Sequence, residues 1–118
     1  MRALAIGRSA RLDIDGILEE SADRWGAVAA DRYRRLLDLA FAELQADKEP
    51  PASKPSGVAD LRLFALRFPA RRLPRTHAVR SPPHVIAYRS SPTQVQIVRV
   101  LHDRMDLPRY LTTEAEQR

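Results

Sequence analysis

Three residues in the second half of the sequence have the side chains needed to cleave RNA without a metal: Arg89, Arg99 and His102. That reaction needs a base for the 2′-hydroxyl proton, an acid for the leaving oxygen and cations beside the phosphate. Asp103 directly follows His102, however, and its carboxylate would repel a substrate phosphate. The alternative is a structural role, in which Arg89 pairs with an acidic group and His102 caps the end of a strand.

The sequence lacks the residues for most other kinds of site. It contains no cysteine and only three scattered histidines, which excludes disulfides, thiolate chemistry and a metal site with regularly spaced ligands. It has four glycines in all and no glycine-rich phosphate loop, and it has no nucleophile motif. We therefore expect no metal and no cofactor, and a stand-alone enzyme is not the favoured interpretation.

Positive charge is concentrated in the second half of the chain. Residues 1–60 hold 9 basic and 11 acidic side chains, whereas residues 61–110 hold 10 arginines against Asp103 and Asp106. The planar guanidinium of arginine suits both carboxylates and phosphates. This asymmetry predicts a basic surface for an anionic partner, either an acidic protein segment or nucleic acid. The alternative is a solvated charged face without a partner.

The first half of the sequence predicts a short strand followed by a helical hairpin. Residues 4–7 are apolar, and we expect Ser9 to cap a helix that ends before Gly26. Apolar residues recur three and four positions apart in this helix and in a second one over about residues 27–46. Two helices joined by a tight glycine turn lie antiparallel, so their shared apolar side needs a cover.

The second half changes to the patterns of β-strands. The predicted strands are residues 61–68, 84–89 and 94–101. Four prolines between the first two predict an irregular excursion at residues 69–83, and residues 112–118 look like a loose tail after a short amphipathic segment. The order β-α-α-β-β-β predicts an α+β fold of two layers, with the hairpin packed on a mainly antiparallel sheet. We expect a single domain over residues 1–111.

Targeting and membrane segments are not evident in the sequence. The apolar run at the N-terminus is too short for a signal peptide. No segment approaches the roughly 20 apolar residues that cross a bilayer. We therefore expect a cytoplasmic protein without a membrane partner.

Three stretches resemble the ParE toxins of the RelE/ParE superfamily. They are the hairpin from Ile17 to Tyr33, the strand at residues 84–89 and the segment Ile-Val-Arg-Val-Leu-His-Asp-Arg-Met-Asp at residues 97–106. The resemblance covers about residues 4–111, and it departs at residues 69–83, where many relatives have a short turn. It implies the RelE/ParE-like form of the α+β fold and the toxin half of a type II toxin–antitoxin pair.

The resemblance also implies a target and a partner. ParE proteins are associated with inhibition of DNA gyrase and are held inactive by a ParD-type antitoxin in a hetero-oligomeric complex. RelE-like relatives instead cut messenger RNA on the ribosome, with an arginine at a strand end and a histidine or tyrosine near the end of the chain. Arg89 and His102 fall at or close to those positions, and Arg99 could join them. A third alternative is an inactive relative that only binds its antitoxin. Direct nucleic-acid binding is expected only for the ribonuclease.

Candidate binding residues follow from the same resemblance. Antitoxin segments that bind such toxins tend to be acidic, and they would meet aromatic residues at the edge of the hairpin and arginines of the second half. The antitoxin-binding candidates are Trp25, Tyr33, Arg62, Arg67, Arg71 and Arg72. The target-binding candidates lie on the last strand and the segment after it: Arg99, His102, Arg104, Met105 and Asp106.

Overall fold

The structure is a computed structural model that describes the backbone of residues 1–116 and the side chains of residues 1–113. Its strands are β1 (Ala3–Ile6), β2 (Lys54–Pro55), β3 (Arg62–Ala65), β4 (His84–Ser90) and β5 (Gln94–His102). Its helices are α1 (Arg8–Trp25), α2 (Ala27–Ala46), α3 (Arg67–Ala70) and α4 (Leu107–Glu116), with a 3₁₀ turn at Arg75–His77. None of the described helices is both long and apolar enough to cross a membrane.

The predicted helical hairpin is confirmed. Gly26 joins α1 to α2 with a φ of 93°, a left-handed value that favours glycine. The apolar stripe of α2 is buried through Leu36, Leu37 and Leu44. The prediction that Ser9 caps α1 is wrong: the helix begins two residues earlier than such a cap would place it, after Gly7, whose amide instead donates to the Ile97 carbonyl at 2.9 Å. A contact with β5 therefore fixes the start of α1.

The sheet has the order β1-β5-β4-β3-β2, in which only the β1–β5 pairing is parallel. The predicted α+β fold with a mainly antiparallel sheet is thus confirmed. A β-bulge interrupts the β4–β5 ladder, because Ala87 lies opposite Arg99 and Tyr88 lies opposite Ile97. The extra residue, Val98, shifts the side chains that follow it to the other face of the sheet.

Both faces of the sheet are covered. The hairpin packs on one face, where Tyr88, Ile86 and Phe64 are fully buried. The other face carries a second apolar cluster that includes Val98 and Leu101, and α4 lies over it. Leu111 of α4 is 0% exposed within that cluster.

The predicted loose tail at residues 112–118 is wrong as far as residue 116, because α4 continues to Glu116. The last two residues of that prediction lie outside the described residues. The sequence after Leu111 has no apolar pattern that predicts a helix. The helix is stabilised instead by the burial of Leu111 on the sheet.

The strand predicted at residues 61–68 is shorter than expected, because β3 ends at Ala65 and the chain turns into α3. Pro69 explains the change, since it has no amide to donate to a sheet but is tolerated in the first turn of a helix. Residues 71–83 then form the irregular excursion, interrupted by the 3₁₀ turn and packed on the hairpin-side core through Leu73 and Val79.

The open edge of β5 is closed by a side chain of α1. On the edge of β5 that pairs with β1, no described strand pairs with the residues after Ile97. Asp13 accepts the Val100 amide on this edge at 2.9 Å. The same carboxylate receives two hydrogen bonds from the Arg99 guanidinium, at 2.7 and 2.9 Å. Both side chains are largely buried. Asp13 therefore connects α1 to the last strand by three hydrogen bonds.

Candidate functional site

A cavity of about 420 Å³ lies between the tip of the hairpin and the end of the proline-rich excursion. We call it the hairpin cleft. The helices contribute an exposed tryptophan, two arginines and a tyrosine, and the excursion and strand ends contribute a third arginine and two histidines. These residues are Arg24, Trp25, Arg32, Tyr33, Arg80, His84 and His102. The cleft thus combines aromatic, cationic and imidazole groups from five parts of the chain: both helices of the hairpin, the excursion, β4 and β5.

Three polar rings form the inner part of the hairpin cleft. The Tyr33 hydroxyl lies 2.5 Å from Nδ1 of His84. The His84 ring is edge-to-face with Tyr33 and with His102, at 5.5 Å between centroids in each case. His84 and His102 are opposite each other across the β4–β5 ladder, so strand register brings the two imidazoles together.

The protonation of two of these rings follows from their burial. Burial, and secondarily the neighbouring His102, lowers the pKa of His84 from 6.5 to about 4. Burial likewise raises the pKa of the Tyr33 hydroxyl. At neutral pH both groups are therefore uncharged. They can donate and accept hydrogen bonds within the cleft without adding charge.

The fold should lose stability as His84 becomes protonated. The unfolded chain binds this proton with the ordinary pKa of 6.5 and the folded chain only near 4, so stability is complete above pH 6.5 and falls as pH drops toward 4. His84→Gln should make the free energy of unfolding less dependent on pH in that window, as measured by urea denaturation. Ser21→Ala, a non-titrating change in the same cleft, should keep the wild-type dependence. Equal slopes for wild type and His84→Gln would contradict this prediction.

A second cavity, of about 430 Å³, adjoins the first across Val79 and Pro82, which line both. We call it the α3 cavity. Arg67 and Arg71 of this cavity lie over the Phe68 ring, with guanidinium carbons 4.7 and 5.5 Å from its centroid. Neither arginine forms an ion pair with any residue whose side chain the structure describes. They are therefore available to an anion from outside the chain.

Comparison with known proteins identifies the family. A family model described as the ParE toxin of the type II toxin–antitoxin system parDE matches residues 4–107. The chain belongs to this family. Among solved structures, a chain titled "Chromosomal ParDE TA system from P. aeruginosa" is similar in fold, with a TM-score of 0.66 and 20% sequence identity. The similarity covers 86% of this chain and 96% of that one. No curated protein sequence matches the chain.

Both cavities lie within the part of the chain that the ParE family model matches, whereas most of α4 lies beyond it. The structure brings together four of the predicted antitoxin-binding residues at the two cavities: Trp25, Tyr33, Arg67 and Arg71. The other two lie elsewhere with internal partners. Arg62 donates to Ser53 and pairs with Glu49, and Arg72 pairs with Glu43 through two hydrogen bonds.

The three residues suggested for RNA cleavage are not brought together in this ParE-family chain. Arg89 lies opposite Gln96, at the far end of the β4–β5 ladder from the His84–His102 pair, roughly 17 Å away at the usual rise of a strand. Its guanidinium bonds Asp60 and Gln96. Arg99 is held by Asp13. Of the three, only His102 faces the hairpin cleft.

The predicted target-binding residues after β5 form an exposed turn. Arg104 and Asp106 are exposed, and the Arg104 amide lies 3.1 Å from Nδ1 of His102. Met105 is half-buried against the second apolar cluster, so it anchors the turn and offers little surface. Arg104 is therefore the most accessible cation of this turn.

Several residues of the two cavities were missed by the sequence analysis. His84 was placed only at the start of a strand, and its proximity to His102 depends on the β4–β5 register. Arg24 and Arg32 lie in consecutive helices on either side of the Gly26 turn, whereas Arg80 belongs to the distant excursion. A correct pairing of the two strands would have revealed the histidines, but no local signal joins the three arginines.

Proposed function

We propose that this ParE-family toxin inhibits DNA gyrase and is neutralised by a ParD-type antitoxin encoded beside it. The family match over residues 4–107 carries the proposal. The dispersal of Arg89, Arg99 and His102 favours a protein inhibitor over a ribonuclease, because a phosphodiester cleavage needs its acid, base and cations around one phosphate. Gyrase acts on the bacterial chromosome, so this function takes place in the cytoplasm.

The target surface in this proposal is the turn between β5 and α4. Arg104 is exposed there and makes no ion pair within the described side chains. Asp106 flanks it, and His102 and Met105 hold the two ends of the turn. Arg99 contributes indirectly, since its pair with Asp13 fixes the strand that leads into the turn.

A gyrase supercoiling assay with purified toxin tests the target. Blocked supercoiling or trapped cleaved DNA is the expected result, and Arg104→Glu should weaken the inhibition about 10-fold, as removal of a charged contact does. Arg109→Glu, which reverses an exposed arginine on α4, is the control and should inhibit like wild type. If induced toxin arrests growth while gyrase is unaffected and messages are truncated, the ribonuclease alternative replaces the proposal. If growth is normal, the inactive-relative alternative does so.

The antitoxin surface in this proposal runs from Trp25 across the Val79–Pro82 ridge to Arg67 and Arg71. Trp25 is 74% exposed, and an exposed indole is a common anchor of protein interfaces. The two arginines form no ion pair with any described side chain, and their guanidinium carbons lie 4.7 and 5.5 Å from the centroid of the Phe68 ring. An acidic segment would supply the missing carboxylates.

Reversing the charge of these arginines should weaken the toxin–antitoxin complex. For the double variant Arg67→Glu/Arg71→Glu we expect at least about a 10-fold rise in Kd, with a weaker dependence on salt, because two attractive contacts become repulsive. Calorimetry or surface plasmon resonance with the ParD-type antitoxin provides the measurement. Arg75→Glu, an exposed arginine outside both cavities, is the matched control. Wild-type affinity in the double variant would remove the α3 cavity from the interface.

A further inference from the structure

The hairpin cleft has three arginines at its rim, Arg24, Arg32 and Arg80, and one carboxylate, Glu20, which pairs with the first of them. Arg32 and Arg80 form no ion pair with any described side chain. Arg24 pairs with Glu20, one helical turn away. The two side chains are 67% and 63% exposed, respectively. Exposed pairs of this kind contribute little and exchange readily with another anion. The rim therefore offers three guanidinium groups to a ligand.

The mouth and the inner part of the cleft differ in chemistry. At the mouth, Trp25 exposes its flat indole, and Val79 and Pro82 provide apolar surface. Inside, Nδ1 of His84 is bonded to the Tyr33 hydroxyl and Nδ1 of His102 accepts the Arg104 amide, which leaves the second ring nitrogen of each histidine for a ligand. A ligand that fits must combine a planar apolar face, hydrogen-bonding edges and negative charge.

The size of the cleft suits a small ligand. Its volume of about 420 Å³ falls within the roughly 300–1,000 Å³ typical of small-molecule sites. An apolar side chain of a protein partner would fill the space but offer no hydrogen bond to the second ring nitrogens of the two histidines, and burying an unsatisfied polar group costs about 1–3 kcal/mol. A nucleobase offers donors and acceptors on its edge and stacks on aromatic rings.

We propose that the hairpin cleft binds a nucleoside monophosphate, with the base on Trp25 and the phosphate between Arg32 and Arg80. The nucleotide is either free or the end of a single-stranded nucleic acid, since both present the same base, sugar and phosphate. No chemical step is involved, because the ligand is bound and not cleaved. The proposal does not depend on gyrase or on the antitoxin.

Trp25 is the only tryptophan of the chain, so its fluorescence reports on this cleft alone. The purified toxin is titrated with AMP, adenosine, inorganic phosphate and a short 5′-phosphorylated oligonucleotide, and calorimetry repeats each titration. AMP should quench the fluorescence saturably. It should also bind at least about 10-fold more tightly than adenosine or phosphate, because one charge-assisted contact contributes about that factor in affinity. Arg32→Gln and Arg80→Gln should each weaken AMP binding about 10-fold. Arg34→Gln, two positions along the same helix but outside the cleft, is the control.

Each outcome decides one part of the proposal. Oligonucleotide binding much tighter than AMP identifies a nucleic-acid end, and equal binding identifies a free nucleotide. Phosphate binding as tight as AMP overturns the placement of a base on Trp25, and adenosine binding as tight as AMP overturns the role of the arginines. Absence of saturable quenching, or equal affinities for the Arg32→Gln and Arg34→Gln variants, overturns the site. A thermal melt of each variant verifies that the cleft is folded.

Discussion

Replacing Asp13 with alanine is expected to lower the free energy of unfolding by about 3 kcal/mol, the cost of removing one partner from a largely buried ion pair. The variant would leave the Arg99 guanidinium without this carboxylate and the Val100 amide without an acceptor. Asp13 connects α1 to β5 along the part of the β5 edge that β1 does not cover. We therefore expect the variant to destabilise the whole fold. Urea denaturation followed by circular dichroism measures it.

Two comparisons separate the contributions of Asp13. Asp15→Ala removes an exposed carboxylate of the same helix and should change stability by less than about 0.5 kcal/mol. Asp13→Asn keeps an acceptor for the Val100 amide and should cost less than Asp13→Ala. The double variant Asp13→Ala/Arg99→Met should recover part of the loss, because the cation that has lost the Asp13 carboxylate is then gone. A loss below 1 kcal/mol in Asp13→Ala would show that water replaces the carboxylate at little cost.

Replacing Leu111 with alanine should also cost about 3 kcal/mol, within the range for removing a buried leucine side chain. Leu111 is fully buried against Val98 and Leu101, and it is the contact by which α4 covers the second face of the sheet. We expect the variant to expose that face, with increased binding of a hydrophobic dye and a lower midpoint in urea. Proteolysis should then cut within α4 before the rest of the domain.

Tyr110→Ala provides the matched control for Leu111→Ala. Tyr110 is the preceding residue of α4 but is 40% exposed, so its loss should cost less than about 1 kcal/mol. If both variants are equally stable, α4 does not stay on the sheet in solution. The gyrase assay on the two proteins then shows whether a docked α4 is needed for inhibition.

The helical hairpin could be predicted from the sequence because its signals are local. The spacing of Leu36, Leu37 and Leu44 specifies one buried face, and Gly26 specifies the turn. The centres of β4 and β5 could be predicted for the same reason, since each is a run of β-branched and aromatic residues. The resemblance to ParE then supplied what these patterns do not contain, the arrangement of the elements in space.

The remaining elements depend on contacts between distant segments. The two-residue strand β2 exists only because it pairs with β3, and α4 is stabilised by Leu111 on the sheet. The β-bulge at Val98 changes which side chains face the hairpin, and nothing in the sequence of β5 marks its position. Such features follow from pairing and packing, which an analysis of local pattern does not include.

The candidate site divides in the same way. Trp25 and Tyr33 were expected at the edge of the hairpin, and both line the hairpin cleft. Which arginines are free could not be predicted, since that depends on acids supplied by other elements. Glu43 of α2 neutralises Arg72 and Asp13 of α1 neutralises Arg99, while Arg67 has no such neighbour among the described side chains.

The parallel pairing of β1 with β5 has a consequence for the order in which the molecule is made. Ala3 pairs with Gln94, so the first strand has no partner until residue 94 has been synthesised. Translation from Ala46 to Gln94 takes roughly 2–10 s at about 5–20 residues per second, whereas helices form within about a microsecond. The hairpin therefore emerges from the ribosome with its apolar side uncovered for seconds. The surfaces that combine the hairpin with the sheet therefore form only after Gln94 has been synthesised.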